Sequence, residues 1–64
     1  MDVTDPLLDV RESAAILDVS VPTFHRRVAD GTVPKPIKLG ALSRWPRSEI
    51  LAVIEAAKAR RDAA

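Results

Sequence analysis

Cysteine is absent from this 64-residue chain, so neither a disulfide nor a thiolate-bound metal contributes to it, and a reducing compartment such as the cytoplasm is the expected setting. Aromatics are nearly as scarce, with one Trp, one Phe and no Tyr. His25 is the only imidazole, so a metal site would have to be built from carboxylates, and Ser13, Ser20, Ser43 and Ser48 have no second candidate base. The two glycines, Gly31 and Gly40, stand too far apart to form a phosphate cradle. A water-excluding catalytic pocket fits poorly in so short a chain. A non-enzymatic protein without cofactor or metal is therefore expected. Long hydrophobic runs are missing as well: the longest is Ile50 to Ile54, against the roughly 20 residues of a membrane span. The opening Met1-Asp2-Val3-Thr4-Asp5 is acidic, unlike the basic start of a signal peptide. No membrane association is expected.

What is present fits one compact domain spanning residues 1–64. Hydrophobic residues make up 47% and charged residues 30% of the chain. At this length only about 60% of the unfolded surface can be buried, which leaves one small core. Net charge is +1, but it is unevenly spread. Residues 1–19 carry Asp2, Asp5, Asp9, Glu12 and Asp18 against Arg11, a net of −4. Residues 20–47 carry Arg26, Arg27, Lys35, Lys38, Arg44 and Arg47 against Asp30, a net of +5. A concentrated basic stretch is the footprint of phosphate-backbone binding. The alternative is a solvated basic face.

Residues 1–8, interrupted by Pro6, read as an extended lead-in whose Leu7-Leu8 can cover a core. A helix-turn-helix is predicted over 9–29. Asp9 and Glu12 have capping-box spacing, and Val10, Ala14 and Leu17 form one apolar stripe. Asp18 can take the left-handed conformation that ends the first helix, and Ser20 can cap the second. Pro22 is tolerable in a first helical turn, Phe24 and Val28 face the core, and Asp30-Gly31 stops the helix. From Val33 to Trp45 the period becomes two, with Ile37, Leu39 and Leu42 between, and a turn at Gly40-Ala41. A two-stranded wing over 33–45 is predicted, its first strand at an edge because Pro34 and Pro36 lack ladder donors. Trp45 reads as a core anchor completed by Phe24 and Leu42. Pro46 opens a final amphipathic helix over 46–60 on Ile50, Val53, Ile54 and Ala57. The predicted fold class is α+β, mostly α: a winged helix-turn-helix with two short helices, a two-stranded wing and a C-terminal helix.

A short helix bearing polar side chains beside a cationic wing suits a DNA major groove about 12 Å wide. The expected outward positions are Val21, Pro22, His25 and Arg26. Arg26 and His25 can reach a base edge or a phosphate, and the methyl groups of Val21 or Thr23 can meet a thymine methyl. Ser20 can offer its hydroxyl or backbone N–H to a phosphate. Arg27 either joins the contact or lies along the core edge. Lys35, Lys38, Arg44 and Arg47, with Ser43 between them, would grip the backbone. Four to six phosphate contacts predict a log–log salt slope of about −4 to −5.

With those motifs in place, the chain resembles the small winged-helix family that includes phage excisionases (recombination directionality factors) and AlpA-type regulators, itself similar to the DNA-binding part of MerR proteins. The resemblance spans residues 7 to about 57. It rests on Leu7-Leu8-Asp9-Val10-Arg11-Glu12-Ser13-Ala14-Ala15-Ile16-Leu17, on Val19-Ser20 with Thr23-Phe24, on Asp30-Gly31 with Val33-Pro34-Lys35-Pro36-Ile37-Lys38-Leu39-Gly40, and on Arg44-Trp45 with Ser48-Glu49-Ile50. The chain departs from that pattern at Asp18, where Gly is usual, at Val21-Pro22, at Arg27 and at Ala41 on the wing tip.

The resemblance implies a recognition helix using Ser20, His25 and Arg26, and a wing using Lys38, Ser43 and Arg44. It further implies copies side by side on repeated DNA sites, bending of the duplex, and assistance to an integrase. The expected function is thus that of an excisionase working in the cytoplasm of a bacterial host. Its partners would be double-stranded DNA, neighbouring copies packed head to tail, and an integrase. The rival readings are a transcriptional regulator of the same fold and a protein-interaction module such as an anti-repressor.

Overall fold

A computed structural model describes residues 5–63. Asp2 of the acidic lead segment, and the opening tetrapeptide as a whole, lie outside the described residues. The elements run β1 (Leu7–Leu8), α1 (Val10–Ile16), α2 (Val21–Ala29), β2 (Ile37–Leu39), β3 (Leu42–Pro46) and α3 (Arg47–Ala63). Together they form a mostly helical α+β fold, a winged helix-turn-helix with a three-stranded antiparallel sheet in the order β1-β3-β2.

The helix-turn-helix is set by local chemistry. Asp9 accepts the Glu12 N–H at 2.8 Å while Glu12 accepts the Asp9 N–H at 2.9 Å, a closed capping box at the start of α1. Asp18 has φ +57, and around it the Asp18 N–H reaches the Ala15 carbonyl and the Val19 N–H reaches the Ala14 carbonyl. These are the two bonds of a Schellman motif, here built on an aspartate. Ser20 caps α2 by accepting the Thr23 N–H, and Pro22 sits in the first turn, where its missing N–H leaves no bond unmade. Past α2, the Asp30 carboxylate accepts the Thr32 N–H at 2.8 Å and Gly31 adopts φ +89, turning the chain back toward the core.

The core gathers Leu8, Ala14, Phe24, Val33, Trp45 and Ile50 from every element except the short β2, Val33 coming from the loop after α2. Phe24 and Trp45 meet edge to face at 4.9 Å between ring centres, and the Trp45 indole N–H donates to the Pro34 carbonyl at 2.9 Å. Ser13 is fully buried, and its hydroxyl donates to the Asp9 carbonyl at 2.8 Å.

The wing differs from the sequence expectation in three ways. Its first strand begins at Ile37 rather than Val33. Pro34 and Pro36 cannot donate to a ladder, and Val33 instead enters the core, where its N–H is held by the Arg27 carbonyl. Leu42 is not in the core: pairing Leu39 with Leu42 and Ile37 with Arg44 puts these residues on the sheet face opposite Trp45, and Leu42 stays 52% exposed. Pro46 ends β3 opposite Leu7, so the last helix begins at Arg47 and continues to Ala63. The hairpin turn carries φ +64 at Gly40 and no positive φ at Ala41, the sign pattern of a type II′ turn.

Residues 5–8 do more than cover the core. Leu7 and Leu8 pair with Pro46 and Trp45, and the Pro6 carbonyl accepts the Arg47 N–H at 2.9 Å. Pro46 has no side-chain oxygen with which to cap α3. Asp5 supplies one from the far end of the chain, accepting the Ser48 N–H at 2.9 Å and the Ser48 hydroxyl at 2.6 Å.

Candidate nucleic-acid interface

Phe24 is the buried residue of α2, with Val21 and Val28 packed beside it against the core. At about 100° per residue, Pro22, Arg26 and Ala29 then fall on the opposite, solvent face, while His25 and Arg27 fall on opposite flanks. The structure follows this division. Arg26 reaches back along the outer face and donates to the Thr23 hydroxyl at 3.0 Å, and the Ser20 hydroxyl donates to the same oxygen at 3.0 Å. Ser20, Thr23 and Arg26 thus form a continuous polar row one helical turn apart, aligned along the surface that a groove would receive.

His25 leans the other way, into a concave notch of about 440 Å³ between α2 and the hairpin. Lys38, Ser43 and Arg44 line the same notch from the strand side. The antiparallel register sets Lys38 directly opposite Ser43, and the Lys38 ammonium donates to the Ser43 hydroxyl at 2.8 Å. Arg44 donates to the Ser43 carbonyl at 2.9 Å, which ties its guanidinium to the strand. The Lys38 ammonium, the Ser43 hydroxyl and the His25 imidazole therefore border one concavity, a set of donors that suits phosphate oxygens, and Arg44, which alternates onto the other sheet face, borders it at the strand. Asp9 also lines the notch, and its carboxylate is held by the capping box. Sequence reasoning assigned Asp9 to capping alone, because nothing in a capping box signals that its edge borders a cleft.

The remaining sequence-predicted residues are placed as follows. Pro22 is exposed on the outer face of α2 and Thr23 half-buried at its edge. Val21 is turned inward, half-buried against the core, so the expectation that it points outward toward a base is corrected. The Ser20 hydroxyl is already donated to Thr23. Lys35 is exposed between two prolines and does not line the notch. Arg47 stands at the start of α3 beside Asp5, also outside the notch. Arg27 lies on the far flank of α2, paired with Asp30 at 3.4 Å, and faces a different groove toward α3. The basic stretch read as one surface is thus divided: Lys38 and Arg44 line the notch, Arg26 lies on the outer face of α2, Lys35 and Arg47 stand outside the notch, and Arg27 faces the other groove.

With that geometry described, comparison with known families is decisive for the fold. A family model described as a helix-turn-helix domain matches residues 7–58, from the first residue of β1 well into α3. The chain belongs to this helix-turn-helix family. Membership supports DNA binding. Neither curated proteins nor solved structures give a match. Among the described residues no helix is long and apolar enough to cross a membrane.

Proposed function

We propose that this helix-turn-helix protein is an excisionase-type architectural factor, without enzymatic activity or cofactor, that binds repeated sites in double-stranded DNA. In this reading α2 enters the major groove, the wing holds the adjacent backbone, and the bound duplex bends and favours integrase-directed excision in a bacterial cytoplasm. The observation that carries the DNA contact is the notch lined by His25, Lys38, Ser43 and Arg44 together with the Ser20–Thr23–Arg26 row on α2. Support for repeated sites comes from charge. Asp5, Glu12 and Asp18 sit on or beside β1 and α1, whereas the wing and α2 carry the cations, so copies laid head to tail bring opposite charges together.

Footprinting on the DNA flanking its own gene tests the whole proposal. Protection that spreads over adjacent repeats with rising protein concentration, together with anomalous mobility in a circular-permutation gel, is the expected result. One isolated protected site at a promoter with unbent DNA overturns the architectural reading in favour of a transcriptional regulator. Contacts from Arg26, Lys35, Lys38 and Arg44 predict a salt slope of about −3.6. Arg26→Ala costs about 1–3 kcal/mol of specific binding if the side chain reads a base, and weakens all sequences evenly if it holds a phosphate. Unchanged binding to both specific and random duplexes removes Arg26 from the site.

A further inference from the structure

On the side of α2 away from the notch, a second concavity of about 380 Å³ runs between α3 and the turn joining α1 to α2. Its floor is aliphatic, formed chiefly by Leu17, Val19, Val53, Ile54 and Ala57. Three cations rim it: Arg27 from α2, and Lys58 and Arg61 from α3. Among the described residues, Thr32 is the remaining polar residue of the lining and no carboxylate lines it. We propose that this groove docks a short amphipathic helix of a partner protein, with acidic residues flanking its apolar face. The inference goes beyond DNA binding and does not rest on the excisionase reading.

The chemistry of the partner follows from the groove. An apolar floor left open along one side matches the apolar stripe of a helix better than a phosphate backbone, which gains nothing from aliphatic contact. Between Val53 and Arg61 the wall of α3 is about 12 Å long, enough to lie along two turns of a docked helix. Lys58 and Arg61 are one turn apart on that wall, the spacing at which carboxylates recur on a partner helix. Each rim cation does have a local acid: Asp30 for Arg27 at 3.4 Å, Glu55 for Lys58 at 3.3 Å and Asp62 for Arg61 at 3.3 Å. All three pairs are exposed and formed within one helix or turn, which makes them weak and readily exchanged for a partner's carboxylates. Among the described residues none lines both this groove and the notch, so the two are available at the same time.

The test is an NMR titration of the full labelled chain with a synthetic helix of about four turns, carrying leucines along one face and glutamates on its flanks. A second peptide has lysine at every glutamate position. The expected result is shifts clustered at Leu17, Val19, Val53 and Ala57 with the glutamate peptide, and binding at least about tenfold weaker with the lysine peptide. Lys58→Glu combined with Arg61→Glu should lose about tenfold toward the first peptide and gain toward the second. Ala57→Gln, at an exposed position, should block the groove without changing charge. Neither change should alter the shift of a DNA duplex in a gel. No binding, equal binding of the two peptides, or shifts elsewhere overturn the proposal. So does a loss of DNA affinity in the Lys58→Glu, Arg61→Glu variant, which would assign the rim to nucleic acid. Failure of the DNA-binding reading would show separately, as an unmodified chain that shifts no duplex.

Discussion

Strand β3 begins at Leu42, more than half exposed, and three residues later reaches Trp45, sealed under Phe24. Three positions apart, the two side chains lie on opposite faces of the sheet, and those faces are covered differently along its length. At the base of the hairpin, β1 pairs on one side while α1, α2 and α3 close over the inner face, so every inward side chain is buried. At the tip only β2 remains, and it is an edge strand. There Ile37, Leu39 and Leu42 stay in water on the outer face, while Lys38 and Ser43 meet across the inner one. One strand is therefore sealed in the core at one end and exposed at the other, so substitutions at its two ends should act differently on stability.

Substitution at the base should give the largest effect. Trp45→Ala removes the Phe24 contact and the indole bond to Pro34, and should cost about 3–5 kcal/mol, most of the stability of a domain this small. Thermal or urea unfolding followed by circular dichroism measures it, and a loss below about 1 kcal/mol would mean the base is not the anchor. Replacing Lys38 and Arg44 together with alanine should do the reverse. Unfolding should shift by no more than about 0.5 kcal/mol, whereas the salt slope of DNA binding should fall from about −3.6 to about −1.8 as two phosphate contacts disappear. An unchanged slope would remove the wing from the interface.

The same division explains what could be read without coordinates. The capping box at Asp9, the Schellman turn at Asp18 and the Ser20 cap are all local, their partners within five residues, so spacing alone locates them. The register that sets Lys38 against Ser43 is likewise fixed by a two-residue turn. Illegible were the contacts that join distant segments. Leu7-Leu8 pairing with Trp45-Pro46 has no short-range signal, and neither has Asp5 capping a helix 43 positions later. Leu42 is a different case: it stands three positions from Trp45, so alternation alone puts the two on opposite faces, and only one of them can face the helices. On α2, helical spacing predicted that Arg26 and His25 face outward, and both are exposed. It could not decide that Arg27, the next residue, faces a different groove, because that depends on where α3 packs.

Asp5 allows the long-range part to be weighed against the base. The Ser48 hydroxyl and then the Ser48 N–H hold its carboxyl below the ordinary value of 3.8, against a smaller opposing effect of desolvation, with the Arg47 charge the least of the causes. A carboxyl lowered by folding stabilises the fold fully above its unfolded value, and the contribution is lost as pH falls through the folded one. Asp5→Asn should therefore be less stable than the parent at neutral pH, and the difference should close on acidification from roughly pH 5 to pH 2. Asp30, lowered chiefly by its bond to Thr32, titrates in both proteins and cancels in the comparison. The effect should be smaller than that of Trp45→Ala, since it ties down an exposed end of α3 rather than the core. A gap that stays constant with pH would show that Asp5 acts through shape and not through charge.

The smallest expected change in folding is at the tip. Leu42→Ser removes an aliphatic side chain that is already 52% exposed and has no helix beneath it, so little apolar area is returned to water on unfolding. The change should lie within about 0.5 kcal/mol of the parent in urea titration, and Leu39→Ser, at its cross-strand partner, should match it. A loss of about 2 kcal/mol or more from either would mean that the tip is buried in solution, by neighbouring copies or by a rearranged wing, and the contrast between the two ends of β3 would fail. Repeating the titration over a range of protein concentrations separates those causes, because burial by another copy strengthens with concentration while a rearranged wing does not.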